Sequence, residues 1–200
     1  PKGKKVLLIS HAELGKEGMD QTRILSKCEE NRLFEDQYDR AFISAGLKLR
    51  QGNTLQTEAT FRARSILFFA AGIYCAHAIS VHKQLIIPEN GTISLNIPLD
   101  MGRRSACSTR TTHPVFLQRL QVAMHAIGIQ NTLFNPYQLK SKKDMVDDCC
   151  RDNARKRALL LLCEESCSCA KRSHKRYRER RNVLHCGVCL PCLYRRVSLS

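Results

Sequence analysis

Three cysteines at three-residue intervals, in the run His185-Cys186-Gly187-Val188-Cys189-Leu190-Pro191-Cys192, constrain the fold more than any other feature of the chain. Thiolates this close in sequence converge on one ion only where the backbone turns tightly, and Gly187 and Pro191 are residues that favour such turns. Tetrahedral zinc takes four ligands, so a fourth must come from elsewhere. Cys167 and Cys169 lie upstream, and the 16 residues between Cys169 and Cys186 form a loop that closes readily around an ion. Four thiolates leave no position for water, which makes the expected site structural rather than catalytic. Iron–sulfur clusters use the same donors; zinc is the expectation here.

Eleven cysteines in 200 residues raise the alternative of a disulfide scaffold, but such scaffolds are usually small and carry export signals. No signal peptide precedes the first apolar run, so a reducing cytoplasm is expected. The chain opens Pro1-Lys2-Gly3 without Met, which suggests an N-terminal truncation. Cys28 and Cys75 lie in apolar helical contexts and read as core residues. Cys149-Cys150 has no matching pair. The longest apolar stretch, residues 66–79, is interrupted by His77 and falls short of the ~20 residues that cross a bilayer. It reads as a buried helix, and no membrane partner is expected. This length suits one core domain, residues 1–160, with a zinc-knuckle tail, residues 161–200.

The net charge is +15, and residues 139–200 hold 16 Lys/Arg against 7 Asp/Glu, so nine of those charges sit in the tail. An anionic partner follows: nucleotide phosphates, a nucleic-acid backbone or an acidic protein face. The densest stretch, residues 171–181, carries seven Lys/Arg around Tyr177. It fits an RNA or DNA backbone contact with a stacking ring, but no recognised RNA-binding motif accompanies it, and a solvated loop that keeps the protein soluble is the reading preferred for the run alone.

Along the chain, Lys5-Val6-Leu7-Leu8-Ile9-Ser10 predicts a parallel strand buried on both faces. Asp20 caps a predicted helix with Ile24, Leu25, Cys28 and Leu33 on its apolar face. A second strand is expected over residues 41–45 and a long helix over 58–78. A third strand, Gln84-Leu85-Ile86-Ile87, stops at Pro88, where Glu89-Asn90-Gly91 supplies a turn on the sheet edge at which open parallel sheets bind ligands. Residues 93–114 read as a long polar loop, followed by helices at 115–127, at 142–150 and around Ala158 to Leu162. This alternation points to a three-layer α/β domain with a parallel sheet.

Within the polar loop, Ser108-Thr109-Arg110-Thr111-Thr112-His113 holds four hydroxyls, a guanidinium and an imidazole in six residues. Such groups hold a planar polar ligand or a carboxylate through directional bonds. With Glu89 and Asn90 able to read the edge of a purine-like base, they form a predicted ligand site. His113, just before Pro114, also suits a helix start.

Several segments together resemble a known family: Arg62-Ala63-Arg64-Ser65, Pro88-Glu89-Asn90-Gly91-Thr92-Ile93-Ser94-Leu95-Asn96-Ile97-Pro98-Leu99, Ser108-Thr109-Arg110-Thr111-Thr112-His113-Pro114, Asn135-Pro136-Tyr137 and the terminal cysteine array. They are similar to the QueC-like proteins of bacterial Qat anti-phage operons, relatives of 7-cyano-7-deazaguanine synthase. The resemblance covers nearly the whole chain. It implies an adenine-nucleotide α-hydrolase (N-type ATP pyrophosphatase) fold with a C-terminal structural zinc. It further implies ATP-dependent activation, with Mg2+, of a 7-deazaguanine carboxylate for attack by ammonia or an amine, alongside other proteins of the defence operon. On the family pattern Glu89, Asn90, Ser108, Thr109, Arg110, Thr111 and Thr112 would surround the deazaguanine, and Arg64 would lie near the nucleotide. A Ser-Cys pair before the basic loop would make Cys169 the fourth zinc ligand, with Cys186, Cys189 and Cys192.

The chain departs from the family where it matters for activity. The enzymes carry a Ser-Gly-Gly-x-Asp-Ser pyrophosphate loop after the first strand, and nothing in these 200 residues matches it. The expectation is that this loop lies upstream of Pro1 and that the chain alone is inactive. Arg104-Ser105-Ala106-Cys107 stands where relatives tend to have Gly-Ser-Leu, and Ser65 where the synthases have Asn, which bears on substrate preference. The alternative reading is a non-catalytic zinc-knuckle RNA-binding protein that works through the basic loop.

Overall fold

In the computed structural model, residues 5–11, 16–43, 64–95, 111–169 and 185–199 are described. They form a mixed α/β structure whose sheets are small and parallel. The apolar run after Lys5 forms β1 (Val6–His11), which pairs in parallel with β2 (Tyr38–Ile43), Val6 beside Tyr38 and His11 beside Ile43. The run is continuous in sequence but not in burial: Val6 and Leu8 are exposed. Successive side chains of a strand point to opposite faces, so this strand is not covered on both faces as expected. The second strand begins earlier than residue 41, at Tyr38; residues 44 and 45 of the expected strand lie outside the described residues.

Two compact units are distinguished. The first draws on Pro1–Leu14, Asp36–Glu89 and Ile93–Gln138, the second on Gly15–Glu35, Asn90–Thr92 and Leu139–Ser200. In the first unit, α2 (Arg64–Ile79) and α4 (Pro114–Ala126) supply the core through Phe69, Ile73, Leu117 and Met124, at helical spacings of four and seven residues. The Phe69 and Phe116 rings meet with centroids 6.0 Å apart and tilted by 46°, a favourable aromatic geometry. Each such buried side chain contributes roughly 1.5–3 kcal/mol. Gly72 lets β3 (Leu85–Ile86) approach α2: a Cβ there would come within 2.9 Å of both Leu85 methyl groups.

The strand β3 pairs in parallel with β4 (Leu133–Phe134), an element of two residues that carries no sequence signal. Backbone bonds from Leu85 to Thr132 and from Ile87 to Phe134, each 2.8 Å, extend the ladder. Asn131, fully buried, fixes the approach to β4. Its Nδ2 donates to the carbonyls of Ser80 (2.9 Å) and Lys83 (2.8 Å), and its Oδ1 lies 2.9 Å from His77 Nδ1. Gln121 completes the tie: its Nε2 donates to the Asn131 carbonyl at 2.8 Å, and its Oε1 accepts from the Leu133 N–H at 2.7 Å. Buried polar groups are tolerated when satisfied in this way.

In the second unit, α1 (Lys16–Glu30) packs with α6 (Asn153–Glu165), and α5 (Lys142–Cys149) packs with α6 and with α7 (Leu190–Leu199). Asp20 does not cap α1, which begins a turn earlier; it pairs inside the helix with Arg23. Leu33 lies beyond the helix, its N–H donating to the Cys28 carbonyl at 2.8 Å. Cys28 is buried, and burial raises its thiol pKa. A capping box starts α5: the Asp144 N–H donates to Ser141 Oγ at 3.2 Å, and the Ser141 N–H donates to Asp144 Oδ2 at 2.7 Å. Asp152 caps α6 through the Arg155 N–H at 2.7 Å. No helix among the described residues is long and apolar enough to cross a membrane.

Candidate metal centre

Four cysteine sulfurs converge in the second unit. Cys189 Sγ lies 3.3 Å from Cys192 Sγ and 3.9 Å from Cys169 Sγ, and Cys186 Sγ lies 3.9 Å from Cys192 Sγ. All four fall within 4.8 Å of one another. A zinc ion with Zn–S bonds of ~2.3 Å sets its sulfurs about 3.8 Å apart at the corners of a tetrahedron. The donor set and its dimensions therefore fit a structural zinc. Cys167 is outside this group.

The local sequence explains the convergence. Gly187 adopts φ +75°, a left-handed conformation open to glycine at no steric cost. That turn brings the Cys189 N–H to 3.3 Å from Cys186 Sγ, while the Cys186 N–H donates to Cys169 Sγ at 3.4 Å. Pro191 lies in the first turn of α7, where its missing N–H has no helical partner to lose. Cys189 and Cys192 are buried on either side of it. Backbone N–H groups aimed at sulfur stabilise thiolate charge, the second-shell support on which metal sites depend.

The thiols ionise unevenly. Burial opposes charge on Cys186, but the Val188 and Cys189 backbone N–H groups and the Cys189 and Cys169 thiols together bring it down to about 6. At Cys192, burial and the Cys189 thiol push the value up to about 12 against a bond from the Gly187 backbone. Cys163 is raised chiefly by burial, opposed by Arg195 and Lys142.

The residues expected to bind a ligand divide differently. Ser108, Thr109 and Arg110, the basic run 171–181, and Arg62 and Ala63 lie outside the described residues, and of Arg64 only the backbone, which opens α2, is described. Thr111 and Thr112 form a half-buried turn before α4. His113 is the N-cap of that helix, its Nδ1 accepting the Val115 N–H at 3.2 Å. The polar segment at 93–114 is not loop throughout: its first residues end α3 (Gly91–Leu95) and Pro114 opens α4.

Glu89 is half-buried and Asn90 is buried. The Glu89 carbonyl accepts from Asn135 Nδ2 at 2.7 Å and from Ser94 Oγ at 3.4 Å. Asn135 also donates to Ser94 Oγ at 3.1 Å and accepts the Tyr137 N–H on Oδ1 at 2.9 Å. Asn135 and Ser94 thus hold the backbone at Glu89, three residues beyond β3. Their only sequence trace is membership of the Asn-Pro-Tyr and Pro88 segments.

Comparisons with family models, with curated proteins and with solved structures returned no match.

Proposed function

We propose that this chain is the zinc-stapled part of a QueC-like enzyme with a three-layer adenine-nucleotide α-hydrolase fold, which activates a 7-deazaguanine carboxylate with ATP for attack by ammonia or an amine. The observation that carries the reading is the fixed backbone at Glu89, just beyond a parallel strand. The Asn135 and Ser94 side chains tie its carbonyl down, at the edge where parallel α/β sheets bind ligands. The parallel pairing of both sheets and a closed four-thiol cage at the C-terminus support the same reading.

Glu89 and Asn90 would recognise the base edge, with Thr111, Thr112 and the Ser108 to Arg110 segment completing the contact. A carboxylate is a poor acyl donor until one oxygen is converted to a leaving group, which is what adenylation supplies. No residue of this chain corresponds to the pyrophosphate loop, so no phosphate contact is assigned to it. The setting is cytoplasmic anti-phage defence, with operon proteins as partners.

The test is AMP and pyrophosphate formation by the full-length gene product, with Mg-ATP and 7-carboxy-7-deazaguanine. Turnover that depends on the deazaguanine is expected, and its loss in Glu89→Ala is expected too. ATP consumption indifferent to the deazaguanine, or none at all, would overturn the reading.

The concentration of positive charge in residues 139–200 favours a second reading, RNA binding through residues 171–181. It requires affinity that falls steeply with salt. An Arg176/Arg178/Arg180 triple alanine variant with unchanged RNA affinity would eliminate it.

A further inference from the structure

The cage is assembled from two unequal parts. Cys186, Cys189 and Cys192 lie within seven residues of one another, so local chain geometry presents three thiolates together. Cys169 arrives across the 16-residue connection, and something must hold it in place against the entropy of that loop. No Lys, Arg or His stands in the last turn of α6, which ends at Glu165, itself 4.0 Å from Arg23; a carboxylate is the unfavourable sign for a helix C-terminus.

Arg195 meets both needs. It stands on α7, three residues after Cys192, and its Nη2 donates to the Cys163 carbonyl in the last turn of α6. Its Nη1 donates to Ser166 Oγ at 2.8 Å, three residues before Cys169. The Ser166 hydroxyl in turn donates to the same Cys163 carbonyl at 3.1 Å, and the Ser166 N–H lies 3.2 Å from it. The guanidinium places a cation against the α6 C-terminus and adds a side-chain donor to the Cys163 carbonyl, which also accepts from Ser166. It joins the segment leading to Cys169 with the helix that begins inside the cysteine array.

We infer that Arg195 is a positioning residue for the metal centre: through its two bonds to Cys163 and Ser166 it presents Cys169 to the other three thiolates. It touches no ligand atom, and its effect is exerted through Cys169. Two forked donors in a rigid plane are required, so lysine is a poor replacement. The inference rests on the four cysteines holding a metal, and that premise is tested separately by whether the unaltered chain binds Co2+ at all.

The experiment is Co2+ titration of the whole chain, followed by its visible absorption, and Zn2+ competition against a chromogenic chelator. Arg195→Ala should weaken Co2+ and Zn2+ binding by about tenfold or more, in the range seen when outer-shell partners of metal ligands are removed, while the saturated Co2+ spectrum remains that of four thiolates. Arg195→Lys should recover part of the loss, and Ser166→Ala should lose less than Arg195→Ala. In a Cys169→Ala background, Arg195→Ala should change affinity by less than about twofold, because its route of action is gone. Affinity unchanged in Arg195→Ala, or the same loss with and without Cys169, would overturn the inference. Should Arg195→Ala fail to fold, Arg195→Lys and Ser166→Ala carry the test, and unchanged affinity in both would overturn it equally.

Discussion

Asn135 Nδ2 donates to the Glu89 carbonyl at 2.7 Å, joining residues 46 positions apart in the sequence. The same amide bonds Ser94 Oγ, and Asn135 and Ser94 are both buried. Removing the amide takes the 2.7 Å donor from the Glu89 carbonyl and the 3.1 Å donor from Ser94 Oγ, each bond worth about 0.5–1.5 kcal/mol net. Asn135→Ala is expected to lower the free energy of unfolding in urea by that order. Asn135→Asp should do no better, because a carboxylate offers no hydrogen to the Glu89 carbonyl. A change below about 0.5 kcal/mol, the level of an ordinary surface substitution, would show that the contact does not hold this segment.

Asn131 makes a prediction about a histidine. Both hydrogens of its Nδ2 are committed to the Ser80 and Lys83 carbonyls, so its Oδ1 faces His77 Nδ1 as an acceptor. Neutral His77 must then carry its proton on Nδ1. Long-range 1H–15N correlation spectra should show the Nδ1-protonated tautomer of His77, and should show it lost in Asn131→Ala. That variant should also be less stable than His77→Ala, because Asn131 is fully buried whereas His77 is exposed. An Nε2-protonated His77 would refute the assignment.

The start of α5 predicts a response to acid. Bonds from the Ser141 hydroxyl and the Ser141 backbone lower the Asp144 pKa, against the opposing effect of burial. The Asp148 pKa is lowered by Lys140 first and Arg151 second. A carboxylate whose folded pKa lies below its unfolded value near 3.9 adds stability above that value. The contribution is lost as pH falls through the lower, folded value. Carboxyl NMR titration should find both groups titrating below the ordinary aspartate range, with Ser141→Ala moving Asp144 back towards it and leaving Asp148 in place. Asp144 titrating normally in the unaltered chain would contradict the capping box.

Much of the local structure is legible in the sequence because it rests on periodicity. The apolar positions of α2 and α4, the short run that becomes β1, and the Pro88 stop after β3 all announce themselves locally. What escapes is set by contacts between distant residues. The strand β4 is two residues whose pairing depends on Asn131 and Gln121, and the partners of Asn131 lie about fifty positions away. The helix α3 is five residues inside a polar stretch, too short for a pattern. At α1 the aspartate that suits a cap is used in an ion pair with Arg23 instead, and the helix starts upstream of it. At the candidate metal centre the three-residue spacing displays three of the four converging cysteines, whereas only the fold shows Cys169, and not Cys167, beside them. Arg195 reads from sequence as one more cation in a basic tail, and only its bonds to Cys163 and Ser166 distinguish it.

Metal content of the purified chain tests the central claim most directly, because the four-thiolate cage anchors every reading of the C-terminal unit. Native mass spectrometry should find one zinc per chain, retained in Cys167→Ala, held much more weakly in Cys169→Ala, and lost or greatly weakened in Cys186→Ala, Cys189→Ala and Cys192→Ala. A chain that binds no zinc under reducing conditions, or one that keeps it equally well without Cys169, would contradict the account.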